Sequence, residues 1–132
     1  MTTRSIEGDL RHAAISLTVF GAYLLVLSAT LMTVPNALLA VFGISPTQEP
    51  WIRIVGLLAG LIGFLYVRYA PHADRAFCKL TVQARASVVL FFLAFVLFTS
   101  APWQLLLFGM LDLAGAGWTW WALVAHPRIA TA

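Results

Sequence analysis

The sequence predicts an all-α fold: a four-transmembrane-helix antiparallel bundle with a short interfacial helix between the first and second spans. Three observations carry that expectation. Of 132 residues, 61% are hydrophobic and only 10% charged, with a mean hydropathy of +0.92, which leaves too little charge to cover a water-soluble surface. Four apolar stretches each approach the ~20 residues that cross a hydrocarbon core of ~30 Å. The basic residues gather at the ends of those stretches instead of forming a solvated face.

The first span covers about 13–34. Arg4 and Arg11 precede it and "LSAT" offers small residues, as in a secretory signal, but its length fits a retained helix. Next comes "PNALLAVFGISPTQEP". Here Pro35, Leu38, Leu39, Val41 and Phe42 put one apolar face on a short helix over about 35–43, lying along the outer membrane surface and ended by Gly43. It reads equally as a lid over a cavity between the helices and as an interfacial linker. The second span, 51–69, follows Pro50 and contains "GLLAG", a GxxxG pattern. The third has an apolar run over 86–101 and extends back into "CKLTVQAR", giving a span of about 81–101 with Lys79 and Arg85 snorkelling to the interface. "TSAPWQ", broken by Pro102, then makes a tight antiparallel hairpin with the fourth span, 103–124. No repeat, low-complexity tract or dividing linker interrupts this single integral membrane domain over 1–132.

Charge gives the orientation. Arg4, Arg11, Arg68, Arg75, Lys79, Arg85 and Arg128 fall on one side of the spans and Arg53 alone on the other, so both termini are expected in the cytoplasm. The expected location is a bacterial inner membrane, with the lipid bilayer as first partner. The net charge of +3 does not point to nucleic acid, because aromatic and basic residues are not interleaved on a solvated face.

The fourth span, "LLLFGMLDLAGAGWTWWAL", carries Asp112 near its middle. A carboxylate at the centre of a membrane helix costs roughly 2.5 to 3.5 kcal/mol on insertion scales, so something must offset it. Around Asp112 the helical spacing places Gln104, Leu105, Phe108, Gly109, Gly115, Ala116 and Thr119. Most are small, and small residues let membrane helices approach closely, so this stripe is expected to face the bundle interior. On the second span Arg53, Gly56, Gly60, Gly63 and Val67 recur at spacings of three and four, a matching surface. The expected helix-packing positions are therefore Gly56, Gly60, Gly63, Gly109 and Gly115. At ~1.5 Å per residue, Asp112 lies about 13 Å below Trp103 and Arg53 about 3 Å below Trp51. An extended arginine with helix tilt or a bridging water spans a gap of about 10 Å. The candidate buried polar site is thus Arg53 with Asp112, and Glu49 competes for the arginine from four residues earlier.

Other chemistry is weakly indicated. His12, His72 and His126 lie at one level near helix ends without an i, i+4 pairing, the pattern of headgroup-zone histidines, so no metal site is assigned. Cys78 alone cannot build a disulfide or a cysteine-ligated cluster within one chain. Trp51 and Trp103 mark one membrane boundary, and Trp118, Trp120 and Trp121 lie toward the other. Trp118, Phe108 and Tyr23 also suit a pocket for a flat hydrophobic ligand such as a quinone. No nucleophile with its base, phosphate loop or carboxylate pair is present, so no catalysis by the chain alone is expected.

The sequence of "VPNALLAVFGI", "WIRIVGLLAGLIGF", a basic inner loop and an acid among glycines in the fourth span resembles the small bacterial four-helix inner-membrane proteins of the DoxX-like and BphX-like type. The resemblance lies in layout over nearly the whole chain. It implies a membrane subunit of a redox assembly, such as a thiosulfate:quinone oxidoreductase system or one handling oxidative stress, with Arg53 and Asp112 as the matching buried polar positions and a partner protein for any electron transfer. The leading expectation is an accessory or anchoring subunit, in a homo-oligomer or larger membrane complex, that holds a lipophilic molecule near Arg53 and Asp112. The alternatives are a proton-coupled carrier of a small hydrophobic or cationic solute using Asp112, and a purely structural protein in which the polar pair fixes helix register.

Overall fold

A computed structural model describes residues 2–125, with side chains from Leu10 onward. The elements are α1 (Thr2–Thr33), α2 (Pro35–Val41), α3 (Trp51–Tyr69), a short 3-10 helix (Ala70–His72), α4 (Arg75–Phe98) and α5 (Leu105–Ala125), with no strand among the described residues. Three segments are long and apolar enough to cross a membrane: Leu10–Thr33, Trp51–His72 and Arg75–Phe98. α5 has 21 residues and carries Asp112 with three tryptophans.

Local chemistry sets the helix ends. Pro35 starts α2, where its missing N–H removes no hydrogen bond. The stop is a Schellman motif: Ile44 N–H donates to Leu39 O at 2.9 Å and Gly43 N–H to Ala40 O at 3.1 Å. Gly43 takes the left-handed φ of 69° that the motif needs, and Ile44 packs back on the buried cluster of Leu31, Leu39 and Ile52. α4 begins at Arg75 because Asp74 caps it, its carboxylate accepting from Phe77 N–H at 2.7 Å. That start precedes the expected 81 by six residues, and it moves Arg85 from near a helix end to ten residues inside one.

α1 lies centrally, packed against α3 on one face and α5 on another, while α4 packs against α5. Small residues permit these approaches. Gly63 sits against Gly21 and Leu24, Gly60 against Ser28, and Gly56 against Leu31, so residue numbers fall along α3 as they rise along α1. Gly109 faces Val89 and Phe92 of α4, and Gly115 lies between Phe20 of α1 and Arg85 of α4. The glycine stripes of α3 and α5 therefore do not meet. α1 stands between them because Gly21 and Ser28 give α3 its small-residue counterpart.

Two apolar clusters close the ends. Ala13, Leu17, Ala70, Ala73, Cys78, Ala122 and Leu123 form one, and Leu31, Leu39 and Ile52 the other. Outward-facing side chains are large and apolar, including Leu57, Leu58, Leu61 and Phe64 on α3 and Leu90, Phe91, Leu97 and Phe98 on α4. So much continuous exposed apolar surface suits lipid and not water, and it supports a membrane protein.

A candidate buried polar site

Among the described residues the buried cation is Arg85, only 3% exposed. Its Nε donates to Thr81 O at 3.3 Å and its Nη2 to Thr119 Oγ1 at 2.6 Å. Thr119 shares a 2.7 Å hydrogen bond with Ser16, whose hydroxyl donates to Ala13 O. The guanidinium carbon lies 4.7 Å from the ring centre of Phe20 and 5.8 Å from that of Tyr66. α1, α3, α4 and α5 thus all contribute to one locus.

Magnitudes explain why the charge is tolerated. Arginine at mid-membrane costs about 2.5 to 3.5 kcal/mol on insertion scales. A hydrogen bond to a charged group contributes about 1.5 to 3 kcal/mol and a desolvated cation–π contact about 2 kcal/mol, so the two bonds and the Phe20 face offset the cost. One group is left over. Nη1 is buried and has no hydrogen-bond partner among the described residues. It lies against Gly115, where a Cβ would approach it to 2.9 Å, so a glycine is what lets the guanidinium reach α5.

Asp112 precedes Gly115 by one helical turn and is half-buried. Its carboxylate lies within electrostatic range of Arg85, Tyr23 and Tyr66, and it makes no hydrogen bond or ion pair among the described residues. The cationic neighbour expected for Asp112 is therefore supplied by Arg85 of α4 and not by Arg53. Arg53 is exposed at the start of α3, where its Nη1 donates to Met32 O, and α1 separates α3 from α5. Glu49 is also exposed, with its backbone N–H on Thr47 Oγ1 at 3.1 Å. No ion pair joins it to Arg53 among the described residues.

A cavity of about 120 Å³ opens between α1 and α5 beside this locus, lined by Ser16, Phe20 and Tyr23 on one side and Leu111, Gly115 and Trp118 on the other. Its rim is exposed at Val19, Leu111 and Trp118. Tyr23 and Trp118 thus line one cavity, whereas Phe108 packs at a tilt on Phe42, with ring centres 4.4 Å apart. With Gln104 Nε2 donating to Gly43 O at 3.3 Å, that ring contact fastens the α2 turn to the start of α5, away from the 120 Å³ cavity.

His12 and His72 are exposed, and His126 and Arg128 lie outside the described residues. No group of three or more His, Cys, Asp or Glu side chains that could hold a metal occurs among the described residues. Thr119 stands on the stripe that the helical spacing set around Asp112, whereas Arg85, Ser16, Phe20, Thr81 and Tyr66 are members of the locus that the sequence did not place there. One available signal was the shared face of Cys78, Thr81 and Arg85, spaced three and four apart as in the α5 set Asp112, Gly115 and Thr119. Comparison with family models, curated proteins and solved structures finds no match to this chain.

Proposed function

We propose that the chain is a small integral membrane protein of four spans, α1, α3, α4 and α5, whose polar centre holds the head of a lipophilic small molecule against Arg85. The observation that carries this reading is the buried Nη1 of Arg85, a charged donor without an acceptor among the described residues, set against the glycine that lines a cavity. A buried donor left unmet costs about 1 to 3 kcal/mol, and a carbonyl or similar acceptor on a ligand removes that cost. A quinone is a candidate of this chemistry, since a flat ring suits Tyr23 and Trp118.

The membrane arrangement belongs to the same proposal. At ~1.5 Å per residue, the 21 residues of α5 reach about 31 Å, and its one charge turns toward the other helices. The opposite numbering of the α1 and α3 contacts supports antiparallel neighbours. With Arg85 withdrawn into the bundle, Arg68, Arg75 and Lys79 still oppose Arg53, so the charge bias keeps its sign and supports cytoplasmic termini in a bacterial inner membrane. The layout also supports a DoxX-like or BphX-like accessory subunit, working in a homo-oligomer or larger membrane complex.

Mass spectrometry of lipophiles retained after mild detergent extraction tests the proposal. The wild-type protein is expected to retain a stoichiometric small molecule, and Gly115→Val, which fills the cavity wall beside Nη1, is expected to lose it with helicity unchanged. Wild-type protein that purifies empty, and takes up nothing from a membrane lipid extract, overturns the reading. Proton-coupled carriage is favoured instead by one feature, the absence among the described residues of a hydrogen-bond partner on Asp112 beside Tyr23 and Tyr66. It requires pH-dependent solute flux in proteoliposomes that disappears in Asp112→Asn.

A further inference from the structure

A second, larger cavity lies at the Ile52 end, about 320 Å³ in volume, between the end of α1, the start of α2, residues 47–49 and the first turn of α3. That volume falls within the ~300 to 1,000 Å³ of small-molecule sites, whereas the cavity beside Arg85 is smaller. Its polar lining comprises Thr33, Asn36, Thr47, Gln48, Glu49 and Arg53, above the buried Ile52.

The arrangement of charge is specific. Arg53 and Glu49 both line the cavity, yet no ion pair joins them among the described residues. Met32 O holds Arg53 through Nη1, which fixes the direction of the guanidinium and leaves the donors on Nε and Nη2. Asn36 Oδ1 accepts from Thr47 N–H at 2.9 Å, so the amide is also oriented, and its NH2 makes no hydrogen bond among the described residues. Donors of Arg53 and Asn36 and the acceptor carboxylate of Glu49 therefore open on one space. An anion alone would leave Glu49 facing like charge, and a cation alone would do the same to Arg53. A molecule with both charges satisfies both walls.

An apolar path leads out of the cavity. Leu57 and Leu61 follow Arg53 on the same helical face and are 48% and 52% exposed, a track for a hydrocarbon chain. Trp51 is exposed beside them at the head of α3, the position of an interfacial aromatic residue.

We infer that this cavity binds a phosphate ester bearing an ammonium group, the chemistry of a zwitterionic lipid headgroup, with the phosphate on Arg53 and Asn36 and the ammonium on Glu49. The inference is independent of a ligand at Arg85. Purified full-length protein in detergent is titrated with phosphatidylethanolamine, phosphatidylglycerol and O-phosphoethanolamine, and binding is read by native mass spectrometry. The zwitterionic lipid is expected to bind about tenfold or more tighter than the anionic one, and Arg53→Gln to weaken it by about tenfold. Glu49→Gln should bring the two lipids to equal affinity. The exchanged variant, Glu49→Arg with Arg53→Glu, should keep the preference for the zwitterion, and Gly117→Ala, where an added Cβ meets no described atom within 4 Å beyond its own helix backbone, should leave it unchanged. Binding of O-phosphoethanolamine as tightly as the lipid assigns a soluble zwitterion; binding of the lipid alone assigns the bilayer as source. Equal affinity of the wild-type protein for both lipids, or no loss in Arg53→Gln, overturns the inference, and because both side chains are exposed a matched melting curve separates binding from folding.

Discussion

Replacing Arg85 with glutamine is expected to lower the unfolding free energy by about 3 kcal/mol, the range found when one member of a buried charge set is removed. Three losses combine: the bonds to Thr81 O and Thr119 Oγ1, the faces of Phe20 and Tyr66, and the cation nearest Asp112. Lysine should rescue little, since a single ammonium cannot donate in the planar fork that reaches Thr81 and Thr119 while lying over Phe20. The last loss is separable. In an Arg85→Gln background, Asp112→Asn should recover about 1 kcal/mol, because no bare carboxylate then remains in the bundle, and the same change in the wild-type background should not stabilise. Denaturant titration of the four proteins in one detergent measures the coupling. Strictly additive effects would mean that Arg85 and Asp112 do not sense each other.

The helices and the α2 turn were legible in the sequence because their causes are local. Pro35 and Gly43 punctuate α2, and the Gly56, Gly60 and Gly63 spacing marks one face of α3. What covers that face was not legible. Periodicity identifies a small-residue stripe without saying which helix supplies the matching one, and here Gly21 and Ser28 of α1 do so. The cation near Asp112 was hidden by a different cause. An apolar run beginning at 86 puts Arg85 at a membrane edge, where arginines anchor to headgroups. Asp74 caps α4 well before that run, and at ~1.5 Å per residue Arg85 then lies about 15 Å inside the helix. The charge of Arg85 reads as an anchor only while the helix start is drawn from hydrophobicity. Once the cap defines the start, it reads as a buried group needing partners.

The glycines divide into those that hold the helices together and those that do not, and the division predicts opposite signs. At Gly63 a Cβ would come within 2.7 Å of Gly21 O and 2.9 Å of Leu24 Cβ, and at Gly21 within 2.9 Å of Gly63 O. Backbone cannot rotate aside as a side-chain tip can, so Gly63→Ala and Gly21→Ala must push α1 and α3 apart, at about 1 to 3 kcal/mol each. The larger Gly63→Leu should lose the α1–α3 contact altogether. At Gly109 the nearest atoms would be 3.3 Å away, so alanine there calls for a shift of only a few tenths of an ångström. A Cβ added at Gly117 would meet nothing within 4 Å among the described residues beyond its own helix backbone, and Gly117→Ala should stabilise α5 by up to about 1 kcal/mol through helix propensity alone. Thermal melts of the single variants in one detergent test the order: Gly63 and Gly21 variants lowest, the Gly109 variant near the wild type, the Gly117 variant above it. A Gly63→Ala protein that melts with the wild type would show that α1 and α3 are not in close contact, and the central position of α1 between α3 and α5 would go with it.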